Sequence, residues 1–262
     1  MLHREDPEGL IVITQPVHAW VAAQLARRWG NDRVGAFAPW EEVCLGAEQH
    51  DLGMAAWERE PTLNPQTGRP YSFMNMPTRA HVQCWATAAR QALAQGRYTA
   101  LLTSLHGTSL YEQFHDYTRD TAEEAHGVRS WLKEEYALQE ALLDSLRHDP
   151  VYAPHATPAV IARNRQLVAT WDRLSLALCH GVRAPQTVAD VPTATEPTTL
   201  MLAPTDGDPT RVTVDPWPFR EETVDLVCEG RRLPQTFTDE SAMRAALADA
   251  PFVTIVTHLR TI

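Results

Sequence analysis

Seven prolines, Pro185, Pro192, Pro197, Pro204, Pro209, Pro216 and Pro218, divide the chain after Ala184 into pieces too short for continuous helix. Each proline removes a backbone donor and its ring crowds the preceding helical turn. The same stretch is rich in Thr and Val, so residues 184–262 are expected to form a small β-rich module. Candidate strands are Thr198–Leu202, Arg211–Val214, Thr223–Cys228, Arg232–Phe237 and Phe252–Leu259, with one helix over Glu240–Ala248. Glu229-Gly230-Arg231 suggests a hairpin turn between the third and fourth of these.

Up to about residue 183 the apolar periodicity is helical. A short apolar run, Leu10–Ile13, leads into Thr14-Gln15-Pro16, a cap followed by an early proline, and then into a helix over Val17–Trp29 that stops at Gly30. Further helices are predicted over Pro39–Asp51, Thr78–Gly96, Tyr98–His106, Thr121–His148 and Pro158–His180. In the last of them Val160, Ile161, Leu167, Val168, Trp171, Leu174 and Leu178 form an apolar stripe. Glu60–Pro77, rich in Pro, Asn and Gly, reads as a long loop of the kind that is functional or mobile. The expected fold class is therefore mainly α: a helical domain over 1–183 and a β-rich C-terminal module over 184–262.

Charge excludes some partners. With 23 Lys+Arg against 33 Asp+Glu, the net charge is −10 over 262 residues, and no basic cluster exceeds Arg27-Arg28 or Arg231-Arg232. Phosphate-tracking surfaces need Lys/Arg patches, so neither a nucleic-acid surface nor an anionic membrane is an expected partner. No apolar run approaches the ~20 residues of a membrane span, and the N-terminus lacks a signal-peptide pattern, so a cytoplasmic protein is expected. Cys44, Cys84, Cys179 and Cys228 form no CxxC pair and read as buried reduced thiols.

The chemistry concentrates in a series on successive helical segments: His18, the doublet His50-Asp51, His81, His106 and Asp172. Imidazole and carboxylate together suit Zn, Fe, Mn and similar divalent ions, and a helical bundle collects such ligands from facing helices. Taken singly, each has a plainer reading: a helix-face histidine satisfied by water, or, for Asp172, an ion-pair partner of Arg173 or Arg165. Taken together, they share faces with Trp20, Leu45, Trp85, Leu102 and Val168, where unpartnered His and Asp are costly. His115-Asp116 is a second doublet without the surrounding apolar helix pattern.

The order His, His-Asp, His, His, Asp resembles the signature of the HD-domain superfamily over about residues 15–182. "EVCLGAEQHDLG" and "VATWDRLSLAL" supply the helix contexts of the doublet and of the last Asp. "TQPVHAWVAAQLARRWG", "HDLGMAAWE" and "DPWPF" look like a bacterial family of HD-type proteins whose function is not established. The resemblance implies an HD-type helical bundle with a dinuclear centre of Fe, Mn, Zn or Mg. His18, His50, Asp51 and Asp172 would hold one ion and Asp51, His81 and His106 the other, with Asp51 bridging. It also implies a metal-dependent hydrolase acting on a phosphoester of a small molecule or nucleotide. The alternatives are an HD-fold di-iron oxygenase of a small polar substrate and a non-catalytic metal- or ligand-sensing module. Two-metal HD phosphodiesterases carry a lysine three residues after the doublet Asp, where this chain has Met54, and they add a glycine-tyrosine-proline motif that is absent here. Cyclic-dinucleotide hydrolysis is accordingly not expected.

The loop after the doublet carries Arg59, Arg69 and Arg79 with Trp57, Tyr71, Phe73 and Asn75. Arg69, set between Gly68 and Pro70, is the residue expected to neutralise the phosphate of a small anionic substrate; its plainer reading is a solvated loop arginine. Oligomeric state is left open.

Overall fold

A computed structural model describes residues 1–262. The chain opens with two strands, β1 (Leu2–Asp6) and β2 (Gly9–Ile13), and passes into helices α1 (Gln15–Arg28), α2 (Trp40–Gln49) and α3 (Met54–Arg59). The short strands β3 (Leu63–Asn64) and β4 (Arg69–Pro70) interrupt the helices, which resume as α4 (Thr78–Ala92), α5 (Arg97–Phe114), α6 (Ala122–Arg147) and α7 (Pro158–His180). The remainder is β5 (Gln186–Val191), β6 (Thr198–Thr205), β7 (Asp208–Asp215), β8 (Thr223–Leu233), α8 (Glu240–Asp249) and β9 (Phe252–Arg260).

Local signals set the helix starts. Thr14, Thr121, Thr157 and Asp239 each accept a bond from a first-turn N–H, and Thr121 with Glu124 forms a reciprocal capping box. Helix α7 has the bounds predicted from its stripe, whereas α5 runs eight residues beyond His106, to Phe114.

The fold class departs from the sequence expectation. With 49% helix, 22% strand and a curled half-barrel of seven strands, this is a mixed α/β fold rather than a mainly α protein. The strand order is β1-β2-β8-β9-β7-β6-β5, antiparallel throughout except for the parallel β7–β9 pair. The reason is non-local pairing: β2 docks its Leu10, Ile11 and Val12 against Leu233, Arg232 and Arg231 of β8, so the N-terminal hairpin extends a sheet made mostly by the C-terminal third. Glu229-Gly230-Arg231 is not a hairpin turn but lies inside β8. Gly230 is needed there because a Cβ would come within 2.5 Å of Ile11.

The expected boundary at 183/184 falls between α7 and β5. One hydrophobic core runs across it, joining Leu25, Trp29, Leu101, Trp171 and Leu178 to Val188, Leu202, Val214, Leu226 and Leu259. Edge-to-face contacts of Trp29 with Trp171 and with Phe219 tie α1 to both sides. All four cysteines are buried and free. No helix is long and apolar enough to cross a membrane.

Candidate metal centre

Four helical segments converge on one buried point. Thr14 caps α1, which places His18 in its first turns facing inward. Helix α2 ends at Gln49, so His50 and Asp51 occupy the turn that follows it. That turn lies tightly on α4: a Cβ at Gly53 would stand 2.2 Å from the Cys84 carbonyl oxygen. A Cβ at Gly46 would stand 2.7 Å from Leu102, so glycine there lets α2 approach α5. The consequence is a 4.6 Å centroid separation between the rings of His50 and His106. Asp172 projects from the middle of α7. His18 and His50 are fully buried, and Asp51, His106 and Asp172 are buried as well.

The Nε2 atoms of His18 and His50 are 3.1 Å apart. Asp172 Oδ1 lies 3.0 and 3.4 Å from them, and Asp51 Oδ2 lies 3.5 Å from each. Donors about 2.0–2.1 Å from a shared divalent ion, at tetrahedral or octahedral angles, stand roughly 2.9–3.4 Å apart. The His18–His50 spacing and both Asp172 spacings fall within that range, and the two Asp51 spacings lie just above it. Donor atoms of His50, His106 and Asp172 also lie within 4.8 Å of one another.

Outer contacts decide which lone pairs face inward. His50 Nδ1 is 2.7 Å from the Ala47 carbonyl oxygen, which can only accept, so Nδ1 carries the proton. Ser175 Oγ donates to the Asp172 carbonyl at 2.9 Å and therefore accepts from His18 Nδ1, also at 2.9 Å. In both neutral rings Nε2 is then left as a bare lone pair aimed at the other Nε2 and at two carboxylates. A positive charge, whether a proton or a metal ion, relieves such a set of acceptors, and imidazole with carboxylate is a donor set that could hold Zn, Mn or Fe.

Without a metal ion, the same carboxylates draw a second proton onto the rings, so a proton and a metal ion compete for the one negative field. Burial pulls the His50 imidazole down, but Asp51 and Asp172 overcome it and push its pKa up to about 10. His18 is raised by the same carboxylates against the same burial. Burial would raise Asp51 and Asp172, yet the two imidazoles hold both well below the usual carboxylate range. His106 is different: burial and the neighbouring His50 depress it to about 4, so it stays neutral.

Not every predicted residue joins. His81 is engaged elsewhere: its Nδ1 meets the Tyr111 hydroxyl at 2.7 Å and its Nε2 accepts from the Trp85 indole at 3.1 Å. Arg69 pairs with Glu5 of β1 at 2.7 Å. The second doublet stays apart too, His115 binding Asp120 at 2.7 Å while Asp116 caps a short 3-10 turn. Sequence reasoning missed Gln15, whose Nε2 donates to Asp51 Oδ2 at 2.9 Å, and Ser175, which sets the His18 tautomer. Their signal was present in the spacing: Gln15 precedes His18 by three residues and Ser175 follows Asp172 by three, one helical turn in each case.

The model of a family described as a protein of unknown function, DUF3891, matches residues 1–235. No curated protein and no solved structure matches the chain. The resemblance to the HD-domain superfamily is therefore corrected: the family matched is a different one, and a curled seven-stranded sheet shares the core with the helices in place of an HD-type helical bundle. Since the match spans 1–235 of 262 residues, the chain belongs to the protein family DUF3891.

Proposed function

We propose that this protein is a metal-dependent hydrolase acting on a phosphoester of a small anionic molecule, with one divalent ion held by His18, His50, Asp51 and Asp172. The observation that carries the reading is a pair of imidazole Nε2 atoms 3.1 Å apart, each 3.0–3.5 Å from an oxygen of Asp172 and an oxygen of Asp51, with both Nδ1 atoms committed to protein acceptors. An ion held by those residues would supply Lewis acidity toward a phosphoryl oxygen and would lower the pKa of a bound water toward neutrality.

The chain's own residues do the rest. Asp51 and Asp172 stay ionised and supply the negative charge that retains a cation. His106, neutral and without a hydrogen-bond partner of its own, offers a further lone pair to the same space. Arg173, next in the chain to Asp172, has a buried Nη2 with no partner and is the arginine proposed to meet substrate charge, while Arg69 pairs with Glu5. With His81 held by Tyr111 and Trp85, the donor set favours one ion over two.

The test is elemental analysis of natively purified protein, followed by phosphate release from a panel of phosphomonoesters and nucleotides with and without chelator. One equivalent of Zn, Mn or Fe with chelator-sensitive release supports the reading. A bound metal with no release from any phosphoester removes the hydrolase part, and absence of bound metal removes the whole.

A further inference from the structure

Gln15 is the first residue of α1 and is 3% exposed. Its side-chain Nε2 donates to Asp51 Oδ2 at 2.9 Å, which orients the amide. The opposite end of the same amide, Oε1, is buried and has no hydrogen-bond partner. A buried acceptor left without a donor is costly, so what Oε1 faces is informative. The residue is also held from behind: its backbone N–H donates to both carboxylate oxygens of buried Glu58, at 3.1 and 2.8 Å. A carboxylate at the first N–H of a helix is favoured by the helix dipole as well as by the hydrogen bonds. The backbone of Gln15 is thus fixed by Glu58, and its side chain is fixed by Asp51.

We infer that Gln15 is the positioning residue of the metal centre: its amide N–H holds the Asp51 carboxylate in the ligating orientation, and its Oε1 accepts a hydrogen bond from a water bound at that centre. This rests on the metal-site reading above. Asp51 Oδ2 stands 3.5 Å from both imidazole Nε2 atoms, and no other side-chain amide or hydroxyl donates to that carboxylate. Without the amide, rotation about the Asp51 side chain is opposed only by the histidines with which it shares the ion. Partners of this kind typically contribute about 10–100-fold in metal affinity. The same amide supplies an acceptor where a metal-bound water has a proton to donate, which gives Oε1 its missing partner.

The experiment is Co2+ titration of the full chain, followed by visible absorption, on wild type, Gln15→Met and Gln15→Leu. Both variants remove donor and acceptor together while keeping an apolar stem of similar size. Thermal unfolding in excess chelator is measured in parallel. The expected result is one Co2+ per wild-type chain, affinity about 10–100-fold weaker in both variants, an altered d–d spectrum, and little change in metal-free melting. Wild-type affinity and spectrum in either variant would overturn the inference. A large fall in metal-free melting would overturn it too, by making the residue a structural one. If the wild-type chain itself binds no Co2+, the metal-site reading fails and this inference falls with it, an outcome distinct from the other two.

Discussion

Two polar clusters are buried within the same helical layer, and they are wired in opposite ways. Between α4, α5 and α6, Glu135 receives the Ser104 hydroxyl at 2.6 Å and the Arg90 guanidinium at 3.3 Å. Gln139 donates to Ser104 and Thr108, and Thr108 in turn reaches the Leu105 carbonyl. Donors there meet acceptors within the protein, the arrangement of a network that holds helices together. Around His18, His50, Asp51 and Asp172 the ring N–H donors point outward, to Ala47 and Ser175, Gln15 gives one donor to Asp51, and the remaining acceptors turn toward one another. Burial of polar groups does not by itself mark a functional site. The informative feature is a convergence of lone pairs that the protein leaves for something else to satisfy.

Substitutions can break or sharpen this contrast. The largest effect is expected at the centre: His50→Ala or Asp51→Ala should abolish stoichiometric metal binding, a loss well beyond the roughly 10–100-fold typical of outer contacts, as read by elemental analysis. Glu135→Ala should do the reverse. It removes the acceptor of Ser104 and Arg90 and should lower unfolding stability in urea by about 1–3 kcal/mol while leaving metal content at the wild-type value. If Glu135→Ala emptied the centre, the two clusters would be one.

Smaller effects follow. His81→Ala deletes two hydrogen bonds, to Tyr111 and Trp85, and should cost about 1–2 kcal/mol with metal still bound. Loss of a metal equivalent in that variant would restore His81 as a ligand and argue for a second ion. Arg69→Ala breaks a partly exposed pair with Glu5 and should change stability by no more than about 1 kcal/mol, with unchanged metal content and phosphoester turnover. A turnover defect of tenfold or more would place its guanidinium at the substrate after all.

What was legible in the sequence divides along the range of the interactions involved. The stripe of α7 and the Thr14 cap are local, and they predicted helices that the structure contains. The His and Asp residues were visible because buried polar side chains on apolar helix faces are conspicuous. The sheet was not legible in the same way. Leu2–Asp6 and Gly9–Ile13 became strands by pairing with each other and then with β8, more than 200 residues away, and periodicity carries no information about a partner that distant. The same blindness turned Gly230 into an expected turn, when its lack of a side chain serves the contact with Ile11. His81 shows a different limit: its helix and spacing suit a ligand, and only the positions of Tyr111 and Trp85 reveal that both its ring nitrogens have protein partners.

The central claim is that the inward-facing donors of His18, His50, Asp51 and Asp172 enclose a cation. Anomalous diffraction at the absorption edges of Zn, Mn and Fe, from crystals of the natively purified full chain, tests it most directly. The account predicts one strong peak within about 2.0–2.3 Å of His18 Nε2, His50 Nε2 and an oxygen of each carboxylate. A map with no peak there, and the two imidazoles instead bonded as protonated donors to Asp51 and Asp172, would contradict it.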